Sequence, residues 1–149
     1  MIQELVSSNL IIANAEADNW EEAVKIAGRL LYENDYVEER YIQSMVDIVK
    51  EYGPYIVIDE GLALAHARPE DGARKLGLSF VTLKTPVEFG SEDNDPVKLV
   101  MGLSAVDADA HLDVMSELAE ILSDEAVMEQ IFEADSSEKI QDLISGICA

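Results

Sequence analysis

The sequence is organised around the segment Gly61-Leu62-Ala63-Leu64-Ala65-His66-Ala67-Arg68-Pro69. Leucine and alanine alternate in it, so a strand here would present Leu62, Leu64 and His66 on one face. The small alanines on the other face allow another element to pack closely. Strand ends that open onto loops commonly carry the functional side chains of α/β proteins. His66 is therefore a candidate nucleophile, base or metal ligand, and a surface or capping residue without chemistry is the alternative.

Length and composition indicate one soluble domain. A chain of 149 residues can bury one real core, and 48% hydrophobic with 28% charged residues is typical of a globular protein. No apolar run has the length of a membrane span, and residues 1–4 lack the basic start of a signal peptide. The single cysteine, Cys148, excludes an internal disulfide and fits a reducing cytosol. We predict a cytoplasmic protein without membrane insertion.

The charge of the chain limits its partners. It has 31 acidic and 10 basic residues, a net charge of −21 and a pI of about 4.1. Such a surface repels nucleic acid and anionic lipid, and it accelerates association with a basic protein. Solubility alone is the simpler explanation of the same charge.

Two amphipathic helices are predicted in the first third of the chain. Asp18 and Glu21 have capping-box spacing, and apolar residues at helical period continue to an end near Tyr32. A second helix is predicted over 37–52, with Gly53-Pro54 as its stop signal. The apolar stripe of this helix consists of Ile42, Met45, Val46 and Val49.

The middle of the chain has strand signals, and the last third is helical again. Short or near-continuous apolar runs predict strands over 10–13, 55–58, 62–67, 76–83, 87–89 and 99–106. A helix carrying His111 in its first turn follows, and then two shorter helices over Glu125–Glu133 and 137–147. This order predicts a single α/β domain with a mixed β-sheet covered by helices.

Several common motifs for cofactors and metals are missing from the sequence. It contains no Walker loop, no Gly-x-Gly-x-x-Gly, no cysteine pair and no His-Glu-x-x-His. Residues 93–95 resemble part of a calcium loop, but the expected glycine and distal glutamate are absent, which indicates a solvated loop. Gly72 and Gly77 fit turn and packing positions, and Cys148 fits an inert residue. We predict no cofactor and no metal site.

The two histidines of the chain are the remaining candidates for chemistry. His66 ends one apolar strand, and His111 opens the helix that follows another. If both strands end at the same edge of the sheet, the two loops come together. A helix N-terminus favours a bound anion such as phosphate and disfavours imidazolium. This pair suits transient capture of a phosphoryl group; metal binding by two histidines is the alternative, although no third ligand is spaced convincingly nearby.

The segment around His66 resembles the active-site signature of the fructose/mannitol-type enzyme IIA of the bacterial phosphoenolpyruvate sugar phosphotransferase system. The similarity extends over nearly the whole chain, including Lys84-Thr85-Pro86-Val87-Glu88-Phe89 and the block 99–122 that contains His111. Within that family the chain is most similar to the ascorbate-specific enzyme IIA. That similarity lies in segments 53–58, 93–96 and 105–108.

The resemblance implies that residues 1–149 form one type-2 enzyme IIA domain with a phosphocarrier function. Phospho-HPr would donate a phosphoryl group to His66, which would pass it to a cysteine of enzyme IIB, with the membrane enzyme IIC involved only indirectly. His111 matches the second active-site histidine of the family. Ala65 departs from the proline that many relatives have there, and Lys50 stands where mannitol-type relatives often have arginine near the site. A regulatory enzyme IIA-like module that feeds no transporter is the alternative.

Overall fold

The structure is a computed structural model that describes residues 7–148, without the side chains of residues 108, 110, 111 and 146–148. The expectations for residues 1–4 and for the Cys148 side chain therefore lie outside the described residues. Among the helices that the structure describes, none combines the length and the apolar character of a membrane span.

Five strands form one mixed sheet. They are β1 (Ile11–Ala15), β2 (Val57–Asp59), β3 (Leu62–His66), β4 (Gly77–Val87) and β5 (Val97–Ser104). Their order across the sheet is β1-β4-β5-β3-β2, so β1 and β2 are the edge strands. The pairs β1/β4 and β3/β5 are parallel, and the pairs β4/β5 and β2/β3 are antiparallel. The predicted single α/β domain with a mixed sheet is confirmed.

Within residues 7–148, five α-helices cover the two faces of this sheet. They are α1 (Trp20–Glu33), α2 (Glu39–Tyr52), α3 (Ala108–Leu122), α4 (Glu125–Glu133) and α5 (Ser137–Cys148). Helices α1 and α2 enclose a core against one face, and α3, α4 and α5 enclose a second core against the other. The alternation in β3 supplies both cores, because its alanines face α1 and α2 while Leu62 and Leu64 face the other helices.

Small residues let α1 lie close to the sheet. A Cβ on Gly102 of β5 would stand 3.2 Å from the backbone oxygen of Ala27 in α1 and 2.6 Å from Oγ of Ser79. The Ser79 hydroxyl donates a hydrogen bond to that same oxygen over 2.9 Å. The helix and the sheet are therefore joined by a direct polar contact inside the core, as well as by apolar packing.

The start of α1 differs from the prediction by one residue. Asn19 is the N-cap, and its side-chain oxygen accepts a hydrogen bond from the amide of Glu22 over 3.0 Å. The Glu22 carboxylate in turn accepts the amide of Asp18 over 2.8 Å. The predicted capping by Asp18 and Glu21 is therefore wrong in register, since asparagine caps as well as aspartate and the next pair downstream makes the bonds.

Helix α2 ends as predicted and starts two residues later than predicted. Gly53 follows it with φ +87°, a conformation that glycine adopts readily, and its amide donates to the oxygen of Val49. Of the predicted apolar stripe, Met45, Val46 and Val49 are buried and Ile42 is half-buried. The stripe also contains Tyr41, which is completely buried and was absent from the predicted set.

Two strand predictions need correction. Residues 55–56 lie in a turn that the Val57 amide closes by donating to the oxygen of Pro54, so β2 begins only at Val57. Residues 87–89 do not form a separate strand: Val87 ends β4 and pairs with Val97, and 88–89 belong to the following loop. The exposed residues 84–86 interrupt the hydrophobic pattern of β4, although the backbone remains in the strand.

The two glycines and the acidic loop have the structural roles that the sequence predicts. Gly72 has φ +128°, and a Cβ on Gly77 would stand 2.3 Å from the ring of Tyr36, so the first is a turn glycine and the second a packing glycine. Asp95 organises its loop, because its carboxylate accepts the amides of residues 89, 90 and 91.

Candidate active site

Strand pairing brings the two histidine segments to the same edge of the sheet. His66 is the last residue of β3 and lies opposite Leu103 of β5, which runs parallel to it. The chain leaves β5 at Ser104 and enters α3 at Ala108, so His111 lies in the first turn of that helix. The predicted meeting of the two segments is thus found in the backbone, while the His111 side chain lies outside the described part of the structure.

A hydrogen bond to the strand's own backbone orients the imidazole of His66. Its Nδ1 atom lies 3.2 Å from the carbonyl oxygen of Leu64, two residues earlier on the same face. A carbonyl oxygen only accepts hydrogen bonds, so this contact favours the tautomer that carries its proton on Nδ1. In that tautomer the lone pair is on Nε2, which is the nitrogen with nucleophilic character.

Tyr55 packs against the ring of His66. The two ring centroids are 6.0 Å apart and their planes meet at 89°, and Tyr52 makes a similar edge-on contact with Tyr55 at 6.3 Å. The antiparallel pairing of β2 with β3 brings Tyr55 opposite the end of β3. Partial burial raises the pKa of the Tyr55 phenol above its ordinary value, with the Tyr52 hydroxyl as a second cause. About half of the Tyr55 side chain is exposed, so this aromatic pair forms part of the surface beside His66.

The hydroxyl of Tyr41 joins the ends of β3 and β5. It accepts the amide of Ala67 over 3.0 Å and donates to the oxygen of Leu103 over 2.7 Å. Desolvation by burial raises the pKa of Tyr41 to about 12, so the hydroxyl keeps its proton at neutral pH. Sequence reasoning missed Tyr41 and Tyr55. The spacing of Tyr41 with Met45 and Val49 is the signal that predicts burial, and a buried tyrosine hydroxyl needs a partner.

A small cavity of about 200 Å³ lies beside His66. It is lined by Tyr41, His66, Ala67, Pro69, Leu103, Ala105 and Asp107. The loop from β3 to β4 runs along the same edge and contains three of the ten basic residues of the chain, Arg68, Arg74 and Lys75. All three are exposed. The loop also contains Glu70 and Asp71, so it has a small net positive charge in a strongly acidic protein, which suits an anion near His66.

Other residues considered from the sequence lie away from this edge or have different partners. The loop 88–95 follows Val87, the end of β4 that is distant from His66. The other end of β4, Gly77, pairs with Ser104 at the end of β5, beside the site. Lys50 pairs with Glu21 of α1 over 3.1 Å. Among the side chains that the structure describes, no three His, Cys, Asp or Glu come together as a possible metal site.

Solved structures with this fold define the class of protein. The mannitol-specific cryptic phosphotransferase enzyme IIA from Escherichia coli superposes with a TM-score of 0.85 at 36% sequence identity, covering 98% of this chain and 99% of its own. Enzyme IIA of the E. coli mannitol system, in its complex with phosphorylated enzyme IIB, superposes with a TM-score of 0.83 at 31% identity, covering 95% and 97%. The fold is that of the fructose/mannitol-type enzyme IIA proteins.

Sequence comparison gives the family. Residues 4–146 match the family described as phosphoenolpyruvate-dependent sugar phosphotransferase system, EIIA 2, and the chain belongs to this family. It is a phosphotransferase of the enzyme IIA type. The ascorbate-specific phosphotransferase system EIIA component of Salmonella typhimurium is 45% identical over 141 residues, covering 94% of this chain and 92% of the relative.

Proposed function

We propose that this protein carries phosphoryl groups in the cytoplasm, taking them from phospho-HPr on His66 and passing them to the cysteine of an enzyme IIB. The observation that supports His66 most directly is its hydrogen bond from Nδ1 to the Leu64 oxygen, which gives the lone pair to Nε2. The ring stands at the end of a buried strand, next to a cavity and a loop that contains Arg68, Arg74 and Lys75. A fixed nucleophile beside positive charge fits phosphoryl transfer, which depends mainly on positioning and charge stabilisation.

The proposed reaction is two successive exchanges of one bond. Nε2 of His66 attacks the phosphorus of phospho-HPr, an N–P bond forms on His66, and the N–P bond on the HPr histidine breaks. The cysteine thiolate of enzyme IIB then attacks the same phosphorus, so that an S–P bond forms and the Nε2–P bond breaks. In both steps the proton stays bonded to Nδ1, and this N–H donates a hydrogen bond to the Leu64 oxygen.

We propose that His111 supports the phosphoryl group without accepting it. Its position in the first turn of α3 is among backbone N–H groups that have no partner within the helix. The positive end of the helix dipole favours the anion and a neutral imidazole, so His111 would act as a hydrogen-bond donor to the phosphoryl oxygens.

Ascorbate uptake is the proposed pathway. It rests on the 45% identity to an ascorbate-specific component over nearly the full length of both chains. The sugar would be handled by the membrane enzyme IIC, so this chain would affect sugar choice only through the enzyme IIB that it recognises.

The phosphoryl acceptor can be tested by incubating the protein with phospho-HPr. We expect an acid-labile, base-stable adduct on the wild-type protein and none on the His66→Ala variant. Persistent labelling of His66→Ala would show that another residue is the acceptor. His111→Ala is the matched control, because it also removes a histidine at this edge but should still be labelled.

The pathway can be tested by offering the phosphorylated protein to enzyme IIB proteins of the ascorbate, mannitol and fructose systems. We expect the fastest transfer to the ascorbate protein. Equal or faster transfer to either of the others would contradict the ascorbate assignment. Failure to transfer to any of them, together with normal labelling by phospho-HPr, would favour the regulatory alternative.

A further inference from the structure

We propose that Tyr41 is the positioning residue of the active site, setting the position of the His66 backbone through its buried hydroxyl. The proposal rests on the function proposed above for His66. The hydroxyl accepts a hydrogen bond from the amide of Ala67 and donates one to the oxygen of Leu103, with a longer contact of 3.3 Å to the oxygen of Ala67. Ala67 directly follows His66 in the chain, and Leu103 pairs with His66 across β3 and β5.

The two hydrogen bonds fix the point where β3 stops being a strand. Beyond His66 the chain turns into the 3₁₀ turn Pro69–Asp71, so the amide of Ala67 is at the boundary between strand and loop. The Tyr41 hydroxyl accepts a hydrogen bond from this amide and donates one to the oxygen of Leu103 in the neighbouring strand β5. The peptide that links His66 to Ala67 is thereby held in one orientation relative to β5.

The environment of the hydroxyl makes this contact specific. Tyr41 is completely buried, and its ring is held among the side chains of the core below α2. A buried donor or acceptor that loses its partner keeps the full cost of desolvation, so alternative positions of the 66–67 peptide are disfavoured. Tyr41 also lines the cavity beside His66. It acts on the reaction through the backbone and does not need to contact the phosphoryl group.

The Tyr41→Phe variant removes the hydroxyl and keeps the ring. We expect single-turnover transfer from phospho-HPr to fall about tenfold or more at saturating donor, because small displacements of a reacting group can cost up to ~10²-fold. The donor concentration at half-maximal rate should stay within about twofold, since the exposed docking surface is unchanged. The ¹⁵N shifts of the His66 imidazole should move toward a mixture of tautomers as the contact with Leu64 loosens.

Ser79→Ala is the matched control. It also removes a buried hydroxyl that bonds to a backbone oxygen, and Ser79 lies in the same sheet but contacts α1 rather than the site. Both variants should melt at lower temperature, and only Tyr41→Phe should change transfer and the His66 shifts. Equal slowing by both variants, or wild-type transfer in Tyr41→Phe, would overturn the proposal.

Two measurements separate this proposal from the function on which it rests. If the wild-type protein takes no phosphoryl group on His66, the proposed function fails, and the ¹⁵N shifts still decide whether Tyr41 orients the ring. If Tyr41→Phe does not fold, the wild-type protein is measured instead. A nuclear Overhauser contact between the Tyr41 hydroxyl proton and the Ala67 amide proton would support the proposal. Rapid solvent exchange of that amide would contradict the proposal.

Discussion

The Nδ1 atom of His66 lies 3.2 Å from the carbonyl oxygen of Leu64, two positions back on the same face of β3. This bond uses the period of the strand itself, since residues i and i−2 share a face. Leu62, Leu64 and His66 lie on the same face of β3. The two leucines are buried in the core, and His66 is the half-buried last residue of the strand. The imidazole of His66 is thus oriented by the strand that carries it.

The first prediction concerns the nitrogen that accepts the phosphoryl group. Because Nδ1 is engaged with the Leu64 oxygen, we expect the phosphoryl group on Nε2. Proton-coupled ¹⁵N and ³¹P NMR of the phosphorylated protein distinguishes the two isomers directly. A product with phosphorus on Nδ1 would require the Leu64 contact to break before transfer and would contradict this orientation.

The second prediction concerns the aromatic contact on His66. Edge-on aromatic pairs contribute ~0.5–1.5 kcal/mol, so losing the Tyr55 ring should slow transfer by roughly 2–10-fold. Tyr55→Ala should show this loss, and Tyr55→Phe should stay near wild type because the ring remains. Stopped-flow transfer rates with both variants make the comparison. An equal loss in both would assign the effect to the hydroxyl instead of the ring.

The elements and the location of the site follow from local patterns in the sequence. Helical period, strand alternation and the Gly53 stop signal are read from neighbouring residues. The structure confirms the elements within a few positions, except the predicted strand over 87–89, which is the end of β4 and part of the following loop. The meeting of His66 with the start of α3 required one further assumption, that their strands end at the same edge. The parallel pairing of β3 with β5 satisfies it.

The parts that the sequence did not predict depend on contacts between distant residues. Tyr41 bonds to residues 26 and 62 positions away, and no local pattern specifies those partners. Tyr55 was assigned to a strand, and its contact with His66 depends on how β2 pairs with β3. The cap of α1 was displaced by one residue because Asp18 and Asn19 are both good capping residues.

The third prediction concerns stability at the start of β4. A methyl group on Gly77 would stand 2.3 Å from the Tyr36 ring, so Gly77→Ala should destabilise the protein by ~1–3 kcal/mol. Gly28→Ala is the control: its methyl group meets the Met45 sulfur at 3.0 Å and the Ile42 side chain at 3.3 Å, so small shifts accommodate it, and alanine favours the helix by ~1 kcal/mol. Urea unfolding of both variants should show the larger loss at Gly77. Similar stability of the two would mean that Tyr36 moves away at little cost.

The fourth prediction concerns docking of the proposed donor, phospho-HPr. HPr proteins carry basic residues around their histidine, as the family resemblance implies, and this chain has a net charge of −21. Association should slow as salt rises, because the Debye length falls from ~10 Å at 0.1 M to ~3 Å at 1 M. Stopped-flow mixing at several salt concentrations measures the rate constant. A rate independent of salt would mean that the acidic surface lies away from the docking face.

Paired variants can locate the charges responsible for this effect. Glu70 and Asp109 are exposed and lie in the loop after β3 and the first turn of α3. Glu88 and Asp93 are exposed in the loop after the far end of β4. Converting the first pair to Gln and Asn should reduce the association rate more than the same change in the second pair. A larger effect of the second pair would put the docking face at the opposite edge of the sheet.

The last prediction concerns His111. Its place in the first turn of α3 puts it at the positive end of the helix dipole, which disfavours a second positive charge and favours a neutral donor. Loss of one preorganised donor in the transition state typically costs ~10²–10³ in rate, and a site that both proposed protein partners must reach should be at or below the low end of that range. His111→Ala should therefore still be phosphorylated on His66 but should accept and release the group more slowly. His111→Gln should recover part of the rate, because its amide can donate a hydrogen bond. Rates of both transfer steps measured by rapid quench test this directly, and unchanged rates in His111→Ala would show that His66 works without it.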